Sequence, residues 1–297
     1  MELRQLEYFV AVAEEANFTR AAARVHISQS GVSAQVSRLE RELGAPLIDR
    51  SGRTATLTAA GAAVLDLARQ ALASADAVRQ TVEEINGLLR GRLRLGMVTG
   101  CTITPLFDAV SAFATAHPGV ELGLVEDSSD QLVDRIRAGE LDVALTGTAA
   151  TELAELATRT ILSESIVAAV AASGHPLSAR SSARLREITA HPVVCMPAGA
   201  GIRAVLEQAC AARGLRSNVT LEASAPTAVL DLASRRLGVA VLSASMLAGR
   251  DDLTTIQIRD VMTAANLAVV WRPGPGPAVR ELLDYLHTAF GLAGLGL

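Results

Sequence analysis

The sequence predicts an α/β protein with an N-terminal all-α winged helix-turn-helix, a long linker helix, and a C-terminal domain of two α/β subdomains. Three observations predict it. Two short helical patterns followed by a basic hairpin occupy residues 18–53. An apolar repeat at helical spacing then runs without proline over residues 58–89. From Arg92 onward, strand-like and helix-like segments alternate, the pattern of a parallel sheet with helices on both faces.

Leu6, Phe9, Val10 and Ala13 recur at helical spacing over residues 3–15, a first helix that packs under the next two. Thr19 is placed to cap a short helix with Ala21, Ala22 and Val25 facing inward. His26 and Ile27 make a turn. Ser28 caps a second helix over residues 29–43, whose stripe of Val32, Val36, Leu39 and Leu43 is the buried one. Gly44 ends that helix and Pro46 blocks its continuation. The opposite face carries Gln29, Ser30, Ser33, Ala34, Ser37 and Arg38. Short polar groups near a helix N-terminus reach base edges and phosphates, and the second helix of such a pair enters the major groove. Residues 47–57 read as a hairpin with Ser51-Gly52 at its turn and Arg50 and Arg53 beside it, suited to phosphates or the minor groove. An ordinary helix pair with a solvated face has the same pattern, so spacing leaves both readings open.

The whole chain sets bounds. With 297 residues, half of them hydrophobic, two domains with ample core are expected. No apolar run has transmembrane length. The opening MELRQLEYFV has early acids and no apolar core, so no secretion signal is expected. Three cysteines, Cys101, Cys195 and Cys210, do not make a disulfide framework and fit a reducing cytoplasm. The net charge of −4 does not announce a nucleic-acid binder, but residues 18–53 hold six arginines against three acids. All 27 basic residues are arginine, so every cationic contact is a planar guanidinium fork. The five histidines are scattered, and HExxH, CxxC, GxSxG and P-loop motifs are absent. No enzyme activity, metal site or cofactor is expected.

Thr58 is placed to cap the long helix, which at roughly 30 residues spans about 45 Å. Its apolar faces suit pairing with a second copy in a coiled-coil-like seam. Gly91 closes it. Residues 93–98, 120–125 and 141–147 then read as strands and 105–115 and 131–139 as helices, a βαβαβ unit. In the second unit RTIL and SIVAAVAA read as two strands, and SARLREIT as a short helix. PVVCM, VTLEAS, GVAVLSAS and LTTIQI are further strands, with helices over 201–213 and 227–235. Residues 265–271 return to the first unit and 277–290 form a closing amphipathic helix. Two such units describe a clamshell, with a small molecule held near the carboxyl ends of the strands.

Residues 1–65 resemble the DNA-binding domain of the LysR-type transcriptional regulators. The resemblance is carried by LRQLEYFVAVAEEANFTRAAARVHISQSGVSAQVSRLERELGAPLIDRSGR and the LTAAG that follows. The family usually has proline at Ser30, alanine at Gly31, phenylalanine at Ile48, and commonly arginine at Ala34. Gly31 costs about 1 kcal/mol of helix propensity, and Ala34 removes one guanine reader. The second domain is similar to the family's effector domain, which has a periplasmic-binding-protein-like fold, through AGELDVALTG, SGHPL, PAGAGIR and SRRLGVAVLSAS. Ser243 stands where the family commonly has proline.

The resemblance implies a DNA-binding domain at 1–58, a linker and dimerisation helix at 59–90, and an effector-binding domain at 91–297. Within the last, subdomain I is about 91–162 and 265–297, and subdomain II about 163–264. The DNA-contacting residues are then Thr19, Arg20, Ser28, Gln29, Ser30, Ser33, Gln35, Ser37, Arg38, Arg50 and Arg53. The effector-contacting residues are Thr99, Gly100, Cys101, Thr102, Ser128, Ser129, Thr146, Ala198, Gly199, Ala200, Gly201 and Thr227. Each serine or threonine among them is also a plain helix-cap candidate. Some carboxylate-sensing relatives place an arginine near 146–148; none stands here, though Arg203 has the length to reach inward. The implied partners are double-stranded promoter DNA, a small-molecule effector and further copies of the chain, as a homodimer or homotetramer, with RNA polymerase a possible fourth. Two alternatives stay open. One is a thiol-responsive regulator using Cys195 and Cys210, although the reactive position of peroxide-sensing relatives falls on Gly201. The other is a cytoplasmic solute-binding protein.

Overall fold

The computed structural model describes residues 1–52, 54–85, 89–101, 103–149 and 153–291. The expectations for Arg53, Gly87, Leu88 and Thr102 lie outside the described residues, as do the side chains of residues 79–85. The N-terminal helices α1 (Leu3–Glu15), α2 (Phe18–Arg24) and α3 (Gln29–Leu43) enclose a core of Phe9, Val12, Ala21, Val32, Val36 and Leu39. Ser28 caps α3 as its position predicts, its hydroxyl accepting from the Gly31 N–H at 3.1 Å. Gly44 ends α3 at φ 71°, a left-handed conformation that glycine adopts at little steric cost.

Two local expectations change. Asn17, not Thr19, caps α2: its side-chain oxygen accepts from the Thr19 and Arg20 N–H groups at 2.8 and 3.0 Å. The cap must sit one residue before the helix, and α2 begins at Phe18. Asn17→Ala is therefore expected to cost about 1 kcal/mol in thermal unfolding of the full chain, and Thr19→Ala far less. Equal losses would contradict this cap. Leu43 is 43% exposed, because the chain reverses at Gly44 and Leu47 takes the buried place below the stripe.

Strands β1 (Ile48–Asp49) and β2 (Thr56–Leu57) pair antiparallel, Ile48 opposite Leu57, and form the expected hairpin. The Asp49 carboxylate accepts from the Ser51 N–H at 2.8 Å and tightens the turn. Helix α4 spans Ala59–Ile85 and seats Ala68 in the N-terminal core. Thr58 caps it, accepting from the Gly61 N–H at 3.0 Å while donating to the Pro46 carbonyl at 2.6 Å. Gly61 packs on the Leu47 carbonyl so closely that a Cβ there would lie 2.1 Å from it. The start of the long helix is thereby fixed to the hairpin. On its outer side, Leu67 and Val78 are 63% and 67% exposed.

Gly91 does not close α4; it opens β3 (Gly91–Val98) with φ 116°. Strand β3 lies between β4 (Val120–Asp127) and β5 (Val143–Thr148), all parallel, with crossovers α5 (Thr104–Ala116) and α6 (Ser129–Arg137). The two strands expected at RTIL and SIVAAVAA are one strand, β6 (Ala157–Ala171). No turn residue interrupts it at Ser163-Glu164. Its first half pairs with the returning strand β12 (Ala264–Trp271), and its second half with β10 (Val239–Ser243) and β11 (Leu253–Ile258). Among the described residues this strand joins the two units into one ten-stranded sheet.

SARLREIT divides into β7 (Ser182–Ala183) and the short α7 (Leu185–Ile188). The second unit continues with β8 (Val193–Cys195), α8 (Gly201–Ala211), β9 (Val219–Glu222) and α9 (Pro226–Ser234), and a 3₁₀ turn, Ala244–Leu247, follows β10. Helix α10 (Pro277–Ala289) covers the first unit, burying Val279, Leu282, Leu283 and Leu286. Each unit has its own core, one around Leu95, Phe113 and Trp271, the other around Val170, Val194, Leu206 and Val241.

Candidate nucleic-acid interface and ligand cleft

The exposed face of α3 carries Ser28, Gln29, Ser30, Ala34 and Arg38, with Ser33, Gln35 and Ser37 half-buried at its edges. Among the described residues Arg38 has no ion pair, whereas Arg20 is held by Glu15 at 3.4 Å. Thr19 is exposed beside Arg20 in the first turn of α2. The Gln35 side-chain oxygen is buried and has no hydrogen-bond partner among the described residues.

Arg50 organises the junction between hairpin and helix. Its guanidinium donates to Ser33 Oγ at 3.2 Å and to Glu40 Oε2 at 2.9 Å, and lies over the Phe18 ring at 5.0 Å. Sequence reasoning misses Glu40. Its Oε1 accepts from the Leu47 and Ile48 N–H groups at 2.9 and 3.0 Å, so one carboxylate pins the hairpin to α3. Its only sequence signal is an acid at helical spacing from Ser33 and Ser37.

In the second domain, the predicted loops meet across the two units. Gly201, at the start of α8, lies against Gly147 at the end of β5; a Cβ on Gly201 would fall 2.4 Å from the Gly147 carbonyl carbon. Gly100 faces Pro226, where a Cβ would meet Cδ at 3.0 Å. The Asp130 N–H donates to the Gly199 carbonyl at 3.3 Å. Ser128, Ser129, Thr146, Gly199, Ala200 and Gly201 are thus brought together, with Gly100 facing Ala225 and Pro226, and Thr99 and Cys101 beside it in the chain. Ala198 is exposed at the rim, and Thr227 is exposed in the first turn of α9.

Not all these hydroxyls are free. Ser129 Oγ accepts from the Gly147 N–H at 3.2 Å, and Thr146, fully buried, donates to the Ser129 carbonyl at 3.4 Å. Ser128 makes no side-chain cap bond to α6, and α8 and α9 begin at alanines that cannot make one. Arg203 does not reach the cleft. It is held by Glu207 at 2.6 Å and Glu222 at 2.7 Å, and donates to the Met196 carbonyl.

The cysteines sit where thiolate chemistry is disfavoured. Burial pushes the Cys195 thiol up to about 12 and raises Cys210 and Cys101 as well. Cys195 is then overwhelmingly protonated at neutral pH, and the thiolate is the reactive form. Iodoacetamide at pH 8 is expected to label half-buried Cys101 first, and Cys195 and Cys210 only after unfolding, as read by mass spectrometry. Rapid native labelling of Cys195 would revive the thiol-responsive alternative.

A helix-turn-helix bearing a pinned hairpin, joined by a long helix to a two-lobed α/β domain with a cleft, defines a ligand-responsive DNA-binding regulator. The comparisons with known proteins agree. The family description "Bacterial regulatory helix-turn-helix protein, lysR family" matches residues 3–62, and "LysR substrate binding domain" matches residues 86–291. The chain is 32% identical to the HTH-type transcriptional regulator BudR of Raoultella terrigena over 92% of this chain and 95% of that one. It is similar in structure to a full-length single-residue variant of OxyR from Pseudomonas aeruginosa, with a TM-score of 0.76 at 24% identity, covering 98% of this chain and 95% of that one. It is also similar to full-length CbnR complexed with its target DNA, with a TM-score of 0.58 at 25% identity, covering 97% and 100%. The protein belongs to the LysR family: it is a DNA-binding transcriptional regulator with a C-terminal effector-binding domain, and not an enzyme. Among the described residues no helix is long and apolar enough to cross a membrane.

Proposed function

We propose that this protein acts in the cytoplasm, places α3 in the major groove of promoter DNA, and changes its grip when a small polar molecule occupies the cleft. The observation that carries the reading is the exposed row Gln29, Ser30, Ala34 and Arg38 beside the hairpin that Arg50 and Glu40 hold. Gln29 and Ser30 read base edges, while Thr19, Arg20, Ser28, Ser37, Arg38 and the two hairpin arginines, Arg50 and Arg53, meet phosphates. Residues 1–58 are the DNA-binding unit and 59–90 the linker. The exposed Leu67 and Val78 of α4 support pairing with a second copy, hence a homodimer on a palindromic site, and pairs of dimers as tetramers.

In the cleft, Thr99, Gly100, Cys101, Ser128 and 198–201 hold the effector. The N-termini of α8 and α9, which have no side-chain cap and no acid in their first turns, favour a carbonyl or a modest negative charge over a cation. Arg203, held by Glu207 and Glu222, is not free to meet a strongly charged acid.

The test is binding of the full chain to duplexes selected from a random-sequence pool, across a salt series. Phosphate neutralisation gives a steep fall of affinity with salt; a flat response would remove the DNA-binding reading. Ser33→Ala is expected to loosen Arg50 and weaken binding by about twofold to tenfold, the worth of one hydrogen bond. Unchanged affinity and selectivity would take Ser33 and Arg50 out of the interface. A thermal-shift screen of the full chain against central and aromatic metabolites then looks for the effector. A ligand at about 100 times its dissociation constant adds roughly 2.7 kcal/mol.

A further inference from the structure

We infer that Arg69 couples the cleft to the helix-turn-helix through a continuous run of alternating acids and arginines; the inference rests on the DNA-binding reading above. The run starts in the cleft. Asp127, at the end of β4, accepts from the Ser128 N–H at 2.9 Å through one oxygen and meets Arg135 at 3.4 Å through the other. Arg135 Nε donates to Glu140 Oε2 at 3.2 Å. Glu140 Oε1 lies 2.9 Å from Arg69 on α4. Arg69 donates through Nη2 to Glu14 on α1 at 3.1 Å, and the other Glu14 oxygen lies 2.7 Å from Arg24 at the end of α2. Each acid uses its two oxygens on different partners, so each link constrains the next.

Two features separate this run from ordinary surface ion pairs, which contribute little. Arg69 is only 11% exposed, at the seam where the DNA-binding unit, α4 and the second domain meet. The 137–142 turn that carries Glu140 is also fixed on both sides. Gln70 on α4 donates to the Arg137 carbonyl at 3.3 Å, and Gly139 packs against Arg69, where a Cβ would lie 3.4 Å from the Arg69 Cβ. Behind the turn, Arg94 donates to the Gly139 carbonyl at 2.8 Å, and its N–H bonds Asp142 at 2.8 Å. A ligand bonding Ser128 or Asp127 changes the charge that faces Arg135. That shifts the share of Glu140, and so of Glu14, that Arg69 holds. The bistable step is docking of the 137–142 turn on α4, which both ends of the run bias.

Coupling is reciprocal, so DNA must be felt in the cleft without any effector. The experiment is amide hydrogen exchange on the full chain, free and with a duplex selected from a random-sequence pool. Binding is expected to change exchange over residues 127–137 by about fivefold or more, the low end of allosteric coupling. Arg69→Gln and Arg135→Gln each abolish that response while duplex affinity stays within about threefold. Among the described residues the Arg135 side chain pairs with Asp127 and Glu140 and with no residue of α4 or the DNA-binding unit, so its effect tests the relay and not docking alone. Glu140→Gln repeats the test should Arg69→Gln misfold, and Arg180→Gln, which breaks an exposed pair with Glu187 that shares no partner with the run, keeps the response. No change over 127–137 in the wild type, or a response surviving Arg69→Gln and Arg135→Gln, overturns the coupling. If no duplex is enriched at all, the DNA-binding reading fails first and the coupling falls with it.

Discussion

Glu40→Ala is expected to lower the stability of the DNA-binding unit by about 2–3 kcal/mol and to weaken duplex binding by at least about tenfold. The carboxylate accepts from two backbone N–H groups and from Arg50, all within 3.0 Å, and its side chain is 14% exposed. Truncation leaves two partly shielded donors and an arginine without an acceptor, which costs more than a bond between neutral groups. The hairpin then loses its register against α3, and Arg50 its anchor. Glu40→Gln falls between, because its carbonyl still serves Leu47 and Ile48 while its amide faces the Arg50 donors. Thermal unfolding and duplex titration of the full chain measure both effects. Wild-type values for Glu40→Ala would mean the hairpin is held by its apolar residues alone.

Gly201→Ala is expected to force the two units of the effector domain apart at the cleft. The added Cβ would lie 2.4 Å from the Gly147 carbonyl carbon, 2.6 Å from the Thr148 nitrogen and 2.7 Å from the Gly147 oxygen. All three are backbone atoms, so no side chain can swing away. Restoring ordinary contact needs a separation of roughly 1 Å between the start of α8 and the end of β5. Overpacking of this kind costs about 1–3 kcal/mol. Ligand-induced stabilisation should fall with it, because the walls can no longer meet. Gly147→Ala is the internal contrast: its Cβ would lie 3.3 Å from Ser129 Oγ and 3.6 Å from Gly201, a contact that small adjustments relieve. Equal effects of the two substitutions in a thermal melt would show that the clash is not the cause.

The sequence by itself determined the helices and most of the strands, because their information is local. The stripe in α3, the caps at Ser28 and Thr58, and the Gly44 stop are all read within one turn of where they act. The alternation after Arg92 likewise placed β3, α5, β4, α6 and β5 in order. Proximity of the cleft loops followed from where strands end in such a sheet.

Tertiary structure decided what depends on a distant partner. Whether RTIL and SIVAAVAA were one strand or two rested on β10, β11 and β12, which pair along its whole length. Arg203 was long enough to enter the cleft, but Glu207 and Glu222 hold it outside. Glu40 looked like one more surface acid until the chain turned at Gly44 and brought Leu47, Ile48 and Arg50 back to it. A charged side chain is fixed by whichever counter-charge the fold brings within about 3 Å, and periodicity within one segment carries no record of that.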